Sequence, residues 1–141
     1  MALKGKPRPH YLIGEAEYSL NNGIYKLISR VIFPSTRDSI EDRNKPPIPH
    51  ANIGDAYFGV WNAVHLICDQ IGVYGTLTNQ GGFIAKKPLP PDKPIELEVL
   101  LMDTHNNDRH IQAEYNGTYM LEGKVLLKIF GRGIGRKIKE A

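Results

Sequence analysis

The chain has 141 residues, 41% of them hydrophobic and 23% charged, which fits one globular domain over residues 1–141 and excludes a disordered or fibrous chain. A single cysteine, Cys68, excludes an intrachain disulfide and a thiolate zinc cluster, and no run approaches the roughly 18–20 apolar residues of a membrane span. The net charge of +3 is modest but gathered at the ends, with Lys4, Lys6 and Arg8 in "MALKGKPR" and Arg132, Arg136, Lys137 and Lys139 in "GRGIGRKIKEA". These read as solvated basic tails. No helix-turn-helix signal, zinc finger or RNA-binding aromatic motif accompanies them, so nucleic acid is not an expected partner. "MALKGKPRPHYLIGE" lacks the apolar run of a signal peptide, and the expectation is a cytoplasmic protein.

In chain order, "YLIGEAEYSL" and "GIYKLISRVIF" are β-prone runs separated by "NNG", a hairpin signal because Asn and Gly accept positive φ. "PSTRDSIEDRNKPPIPHANIG", residues 34 to 54, is rich in proline and charge and reads as a long loop, expected to cap a ligand cleft. "GDAYFGVWNAVHLICDQIG", residues 54 to 72, then reads as a helix with Asp55 at its N-cap or first turn and Gly72 as its stop. Its apolar residues leave only a narrow polar line, the pattern of a helix buried on most sides.

Strands follow. "TLTNQGGFIAKKPL" is one, "PPDKP" a turn, and "IELEVLLMDTH" alternates Ile95, Leu97 and Val99 with Glu96 and Glu98 at the period of a half-buried strand. "NND" turns the chain, and "RHIQAEYNGT" and "YMLEGKVLLKIFG" complete the set, with "YNGTY" as a further hairpin signal. The order predicts an α+β domain in which a curved antiparallel sheet of five to six strands wraps one long helix.

That order, with the helix after an N-terminal hairpin and "GGFIAKKPLPPDKPIELEVLLMD" after it, resembles hotdog-fold proteins. Through Ala56-Tyr57 and Asn62-Ala63-Val64-x-Leu66, the helix locally resembles that of FcoT-like fatty acyl-CoA thioesterases. Asp69 and Gln70 stand in the neighbourhood where that family's helix carries a second asparagine. The resemblance implies a homodimer, in this superfamily often a tetramer, with its active site at the subunit interface beside the helix. It implies acyl-CoA or acyl-carrier protein as partner. Coenzyme A or phosphopantetheine enters as part of the substrate, with no separate cofactor and no metal.

Candidate chemistry lies on the helix's polar line. Asp55, Asn62, His65 and Asp69 are spaced seven, three and four apart, so successive members share a face. The Asn62 amide, or backbone N–H groups near Tyr57 to Gly59, would hold a thioester oxyanion. Asp55, His65, Asp69 or His50 would activate water, with Tyr57 lining the acyl path and Lys86, Lys87 or Arg109 meeting phosphates. Two alternatives stay open: a non-catalytic acyl-CoA-binding module, and a 3-hydroxyacyl thioester dehydratase. The dehydratase pattern of a loop histidine with a helix carboxylate is incomplete, because no carboxylate lies between Asp55 and Asp69. Cys68 reads as an inert core thiol and His105 and His110 as surface residues.

Overall fold

The computed structural model describes residues 12–21, 23–33 and 53–137, apart from the side chains at 12–18, 20, 21 and 74–80. The loop expected over residues 34–54 therefore lies outside the described residues up to residue 52, and His50 with it. The elements are β1 (Leu12–Asn21), β2 (Ile24–Val31), α1 (Ile53–Ile71), β3 (Val73–Ala85), β4 (Ile95–Asn106), β5 (His110–Leu121) and β6 (Lys124–Lys137). They form one six-stranded sheet in the order β1-β2-β4-β5-β6-β3, with every pairing antiparallel. This is the hotdog arrangement expected from the sequence: the helix lies in the concave face of the sheet, and β3 and β1 form the two edges.

Alternation builds that concave face. In β4, Ile95, Leu97, Val99 and Leu101 point inward, while Glu96 points outward and is exposed. β2 lays Leu27 and Val31 beside them, and β6 adds Leu127 and Ile129, none more than 1% exposed. Against this surface α1 packs Ala56, Val60, Ala63 and Ile67, all fully buried. Full burial of each large apolar side chain stabilises by about 1.5–3 kcal/mol before entropy is subtracted.

Positive φ marks the turns. Gly23 (φ 77°) turns the first hairpin and Gly72 (φ 70°) ends the helix, both as the sequence predicts. Asp92 (φ 59°) shapes the proline-rich turn, where its N–H donates to the Phe33 carbonyl at 2.8 Å.

Two sequence expectations are corrected. "YNGTY" is not a hairpin: β5 runs through it unbroken, and the chain reverses at Glu122-Gly123 (φ 52° and 76°). A two-residue turn with both φ values positive matches strand twist. The Asn-Gly signal is overruled by packing, because Gly117 lies under Val60, whose methyl groups occupy the space a Cβ would need. The C-terminal basic run is not a loose tail either. Arg132, Arg136 and Lys137 belong to β6, and Arg132 pairs with Glu114 at 2.9 Å across the strands. The glycines of "GRGIGRK" alternate because Gly131, Gly133 and Gly135 face the helix.

One contact fixes the helix's depth and rotation. The Tyr119 hydroxyl donates to the Ala56 carbonyl at 2.6 Å, with the Val60 N–H close enough to favour its ionised form. In a regular helix those two groups bond each other, so the phenol sits at one rung of the backbone ladder. It reaches that position because Gly59 has no side chain; a Cβ there would collide with the hydroxyl. Phe33 braces the same ring edge-on, with centroids 5.5 Å apart. Burial, opposed by the Val60 N–H and reinforced by Asp55, pushes the Tyr119 phenol well above its ordinary range.

Gly59→Ala should destabilise the native protein, measured as a lower denaturation midpoint. Tyr119→Phe should cost about 1–3 kcal/mol by stranding a buried carbonyl. In the Tyr119→Phe background the collision partner is gone, so Gly59→Ala should be neutral or stabilising by up to about 1 kcal/mol through helix propensity. Additive losses in the double variant would show that the hydroxyl does not set the helix position.

Candidate active site

The helix has two unlike flanks. Tyr57, Trp61, Val64, Cys68 and Ile71 recur every three or four residues and form one stripe. Trp61, Val64, Cys68 and Ile71 line a cleft against Val73 and the inner faces of β4, β5 and β6. Asp55, Asn62 and Asp69 are seven residues apart, about two turns, and form a second stripe roughly opposite the first. Successive members of that stripe differ in burial: Asp55 is half-buried in the first turn, Asn62 is 7% exposed, and Asp69 is exposed.

His65 sits between the flanks. Its half-buried ring packs against Trp61, with centroids 5.8 Å apart and planes tilted by 59°. The structure thus brings Asp55, Asn62 and Asp69 onto one line and places His65 beside the aromatic flank.

The helix begins at Ile53 and carries Asp55 in its first turn, one of the two places expected for it. The amides that lack an intrahelical partner at an α-helix start are those of the first four residues, here Ile53 to Ala56. The N–H groups of Tyr57 and Gly59 are therefore inside the helix rather than at its end, which corrects their expected role as terminal donors. Gly59 is buried beneath Tyr119 and Phe33. Tyr57 is half-buried and meets Phe83 of β3 edge-on, with ring centroids 6.3 Å apart. Burial, and secondarily the neighbouring Tyr115, raises the Tyr57 phenol above its ordinary value.

The expected phosphate-binding residues are not together in one chain. Lys86 and Lys87 are exposed just beyond β3, and their N–H groups donate to the Leu126 carbonyl at 2.9 and 3.1 Å. Arg109 lies at the opposite end of β5, its N–H held by the Asn107 side chain at 2.8 Å. A twelve-residue strand separates them. His105 is exposed and His110 half-buried, and among the described residues no group of three or more His, Cys, Asp or Glu side chains could hold a metal. Burial first, then the Asp69 charge, pushes the Cys68 thiol up to about 12, so it remains protonated and is no nucleophile.

Two residues of interest escaped the sequence reading. Tyr115 is 4% exposed, and its hydroxyl has no hydrogen-bond partner in the structure. Asp103 receives the Tyr25 hydroxyl at 3.3 Å and the Asn106 amide at 3.2 Å on one oxygen, while its other oxygen is buried and unpartnered. The strand alternation placed both on the concave face; nothing in the sequence signalled their hydrogen bonding.

No helix among the described residues is long and apolar enough to cross a membrane. No family model matches the chain, and no curated protein matches it. Solved structures do. A proposed thioesterase from Lactococcus lactis, yhdA, superposes with a TM-score of 0.60 at 16% identity, covering 89% of this chain and 93% of that one. A hypothetical thioesterase from Streptococcus pneumoniae, solved with coenzyme A, gives 0.53 at 14% identity, covering 89% of each chain. The smu.793 protein of Streptococcus mutans, bound to acetyl CoA, gives 0.53 at 13% identity, covering 94% of this chain and 98% of that one. At these identities the likeness shows architecture, and architecture is what it establishes: the chain shares the hotdog fold of these structures.

Proposed function

We propose that the protein hydrolyses acyl thioesters of coenzyme A or a carrier protein at an interface between two copies of the chain. A fold hosts many functions, so the reading is carried by one local observation: a polar stripe, Asp55 and Asn62, on a helix otherwise built for burial. It is supported by the solved neighbours, two of which hold coenzyme A or acetyl CoA. In this reading the Asp55 carboxylate orients water and takes its proton. The Asn62 amide donates to the developing oxyanion, an interaction strengthened in a dry site. His65 and Asp69 flank the approach, and Lys86 and Lys87 meet the phosphates of the coenzyme.

The second copy follows from where the parts stand. The polar stripe and the apolar cleft occupy different flanks of one helix, so a site using both draws them from two chains. β3 is an edge strand that exposes Phe83 and Ile84, 47% and 52% accessible, on a backbone unpaired along one side. Such an edge is normally covered. Pairing of β3 with its symmetry mate in a two-fold dimer covers it and sets the two helices side by side.

Light scattering at micromolar concentration should give twice the chain mass; a monomer would remove the shared site. Asp55→Asn should abolish thioester turnover while leaving the melting temperature close to wild type. Asn62→Ala should lower turnover by roughly 10²–10³, the range for loss of an oxyanion donor. A loss of about 1–3 kcal/mol of stability with turnover intact would instead make Asn62 a structural asparagine whose removal strands its partner. Saturable binding of acyl-CoA without turnover by the wild type would favour the binding-module alternative.

A further inference from the structure

We propose that the cleft under the C-terminal half of α1 seats an unbranched acyl chain of about eight to twelve carbons, entering beside Tyr115, whose hydroxyl takes an oxygen at the chain's acyl end. This deepens the thioesterase reading and rests on it for the nature of the acyl donor.

The cleft exists because β6 changes character along its length. Its first half fills the concave face with Leu127 and Ile129. Its second half presents Gly131, Gly133 and Gly135 to the helix, and the last two line the cleft with no side chain at all. Ala113 on β5 adds only a methyl group. The opposite wall is Val64, Cys68 and Ile71 of the helix, and Leu101 and Ile111 close the floor. Every one of these surfaces is apolar, and the one thiol among them stays protonated, with its ionisation pushed up to about 12 by burial. Apolar cavities of this kind stay dry and accept hydrocarbon.

Shape selects the hydrocarbon. The cleft offers about 460 Å³ of empty space, counted to its open mouth. Helix side chains on one side and bare strand backbone on the other bound it, which suits a straight polymethylene chain better than a ring or a branch. Its length runs along β5 from Tyr115 to Ile111, four residues or about 13 Å. A staggered polymethylene chain advances about 1.25 Å per carbon–carbon bond, so an extended chain of about ten bonds spans the slot.

One polar group stands at the upper end. Tyr115 lies opposite Gly131, which lies opposite Gly81 of β3. With no side chains on either glycine, the phenol extends across both strands until its oxygen is 3.6 Å from where a Gly81 Cβ would stand. That hydroxyl is buried with no hydrogen-bond partner, a cost that an incoming acceptor relieves. Tyr57, near enough to Tyr115 to feel it, stands beside it at the N-terminal end of the helix. An amphiphile with oxygen at one end and a straight apolar tail matches this order of surfaces.

The test uses the full-length protein and coenzyme A thioesters from acetyl to palmitoyl, with phenylacetyl-CoA and benzoyl-CoA as ring-bearing competitors. Thiol release gives kcat and KM for each. Trp61, the sole tryptophan of the chain, lines the cleft, so its fluorescence reports occupancy independently of turnover. The expected result is a maximum in kcat/KM between octanoyl and dodecanoyl, with phenylacetyl-CoA at least tenfold lower. Ala113→Leu should lower the decanoyl-to-acetyl ratio of kcat/KM tenfold or more. Tyr115→Phe, which removes one oxygen and leaves the packing intact, should raise KM for decanoyl-CoA about threefold to tenfold with an unchanged or higher melting temperature. Turnover with a flat chain-length profile, or with a preference for phenylacetyl-CoA, would overturn the assignment of the cleft while hydrolysis stood. If no thioester is hydrolysed but decanoyl-CoA saturably changes Trp61 fluorescence, and Ala113→Leu weakens that binding, the cleft assignment holds and the hydrolytic reading fails. No fluorescence response and no turnover would end both.

Discussion

The hydrogen bond from the Tyr119 hydroxyl to the Ala56 carbonyl, made over the bare Gly59, governs how the helix meets the sheet. A helix packed only by apolar contacts could slide or roll along a smooth concave surface, because hydrophobic burial is non-directional. A hydrogen bond of 2.6 Å at one rung of the backbone ladder removes that freedom. It fixes both the depth and the rotation of α1, and so decides which residues face the cleft and which form the polar stripe. Two glycines permit the approach, Gly59 on the helix opposite the phenol and Gly117 on β5 under Val60. The absence of two side chains is as much a part of this joint as the tyrosine.

The same use of absent side chains shapes the rest of the concave face. Where β6 carries Leu127 and Ile129 the sheet is filled to the helix, and where it carries Gly131, Gly133 and Gly135 a slot is left. Close packing is the default in protein interiors, and leaving a void loses dispersion contacts on its walls. A chain that sets two glycines, Gly133 and Gly135, along one cleft has given up that packing where a ligand could restore it. The unpartnered hydroxyl of Tyr115 at the end of the slot has the same logic in polar terms. Both features are local losses of stability that a bound amphiphile would reverse.

Function then divides between the two flanks of one helix. In the proposed reading the polar flank supplies the acid–base groups near the helix start, and the apolar flank borders the slot. A single chain cannot turn both flanks toward one ligand, whereas a two-fold pair of chains can, which joins chemistry to assembly. Exposed Phe83 and Ile84 on the unpaired edge of β3 belong to the same argument, since the edge that invites a second copy adjoins Tyr57 through Phe83.

Residue pattern alone determined the helix, its stop at Gly72, the first hairpin, the alternation of β4 and the class of fold, because each follows from local conformational preference and from periodicity along a single element. The three corrections arose where distant residues decided the matter. "YNGTY" carries a turn signal, yet it runs straight because Val60, fifty-seven residues before Gly117, packs on that glycine. "GRGIGRK" reads as part of a solvated basic tail, yet it is a strand, its arginines exposed, because β3 and β5 pair with it on both sides. The helix starts at Ile53, which takes Tyr57 and Gly59 away from the terminal amides. Candidate residues on the helix were legible as a polar line, but their division between a buried Asn62, a half-buried Asp55 and an exposed Asp69 depends on the rotation that Tyr119 imposes. Tyr115 was not legible at all: its ring and oxygen acquire meaning only when Gly131 and Gly81 are set beside it by strand register, a relation among three strands that no spacing within the chain encodes.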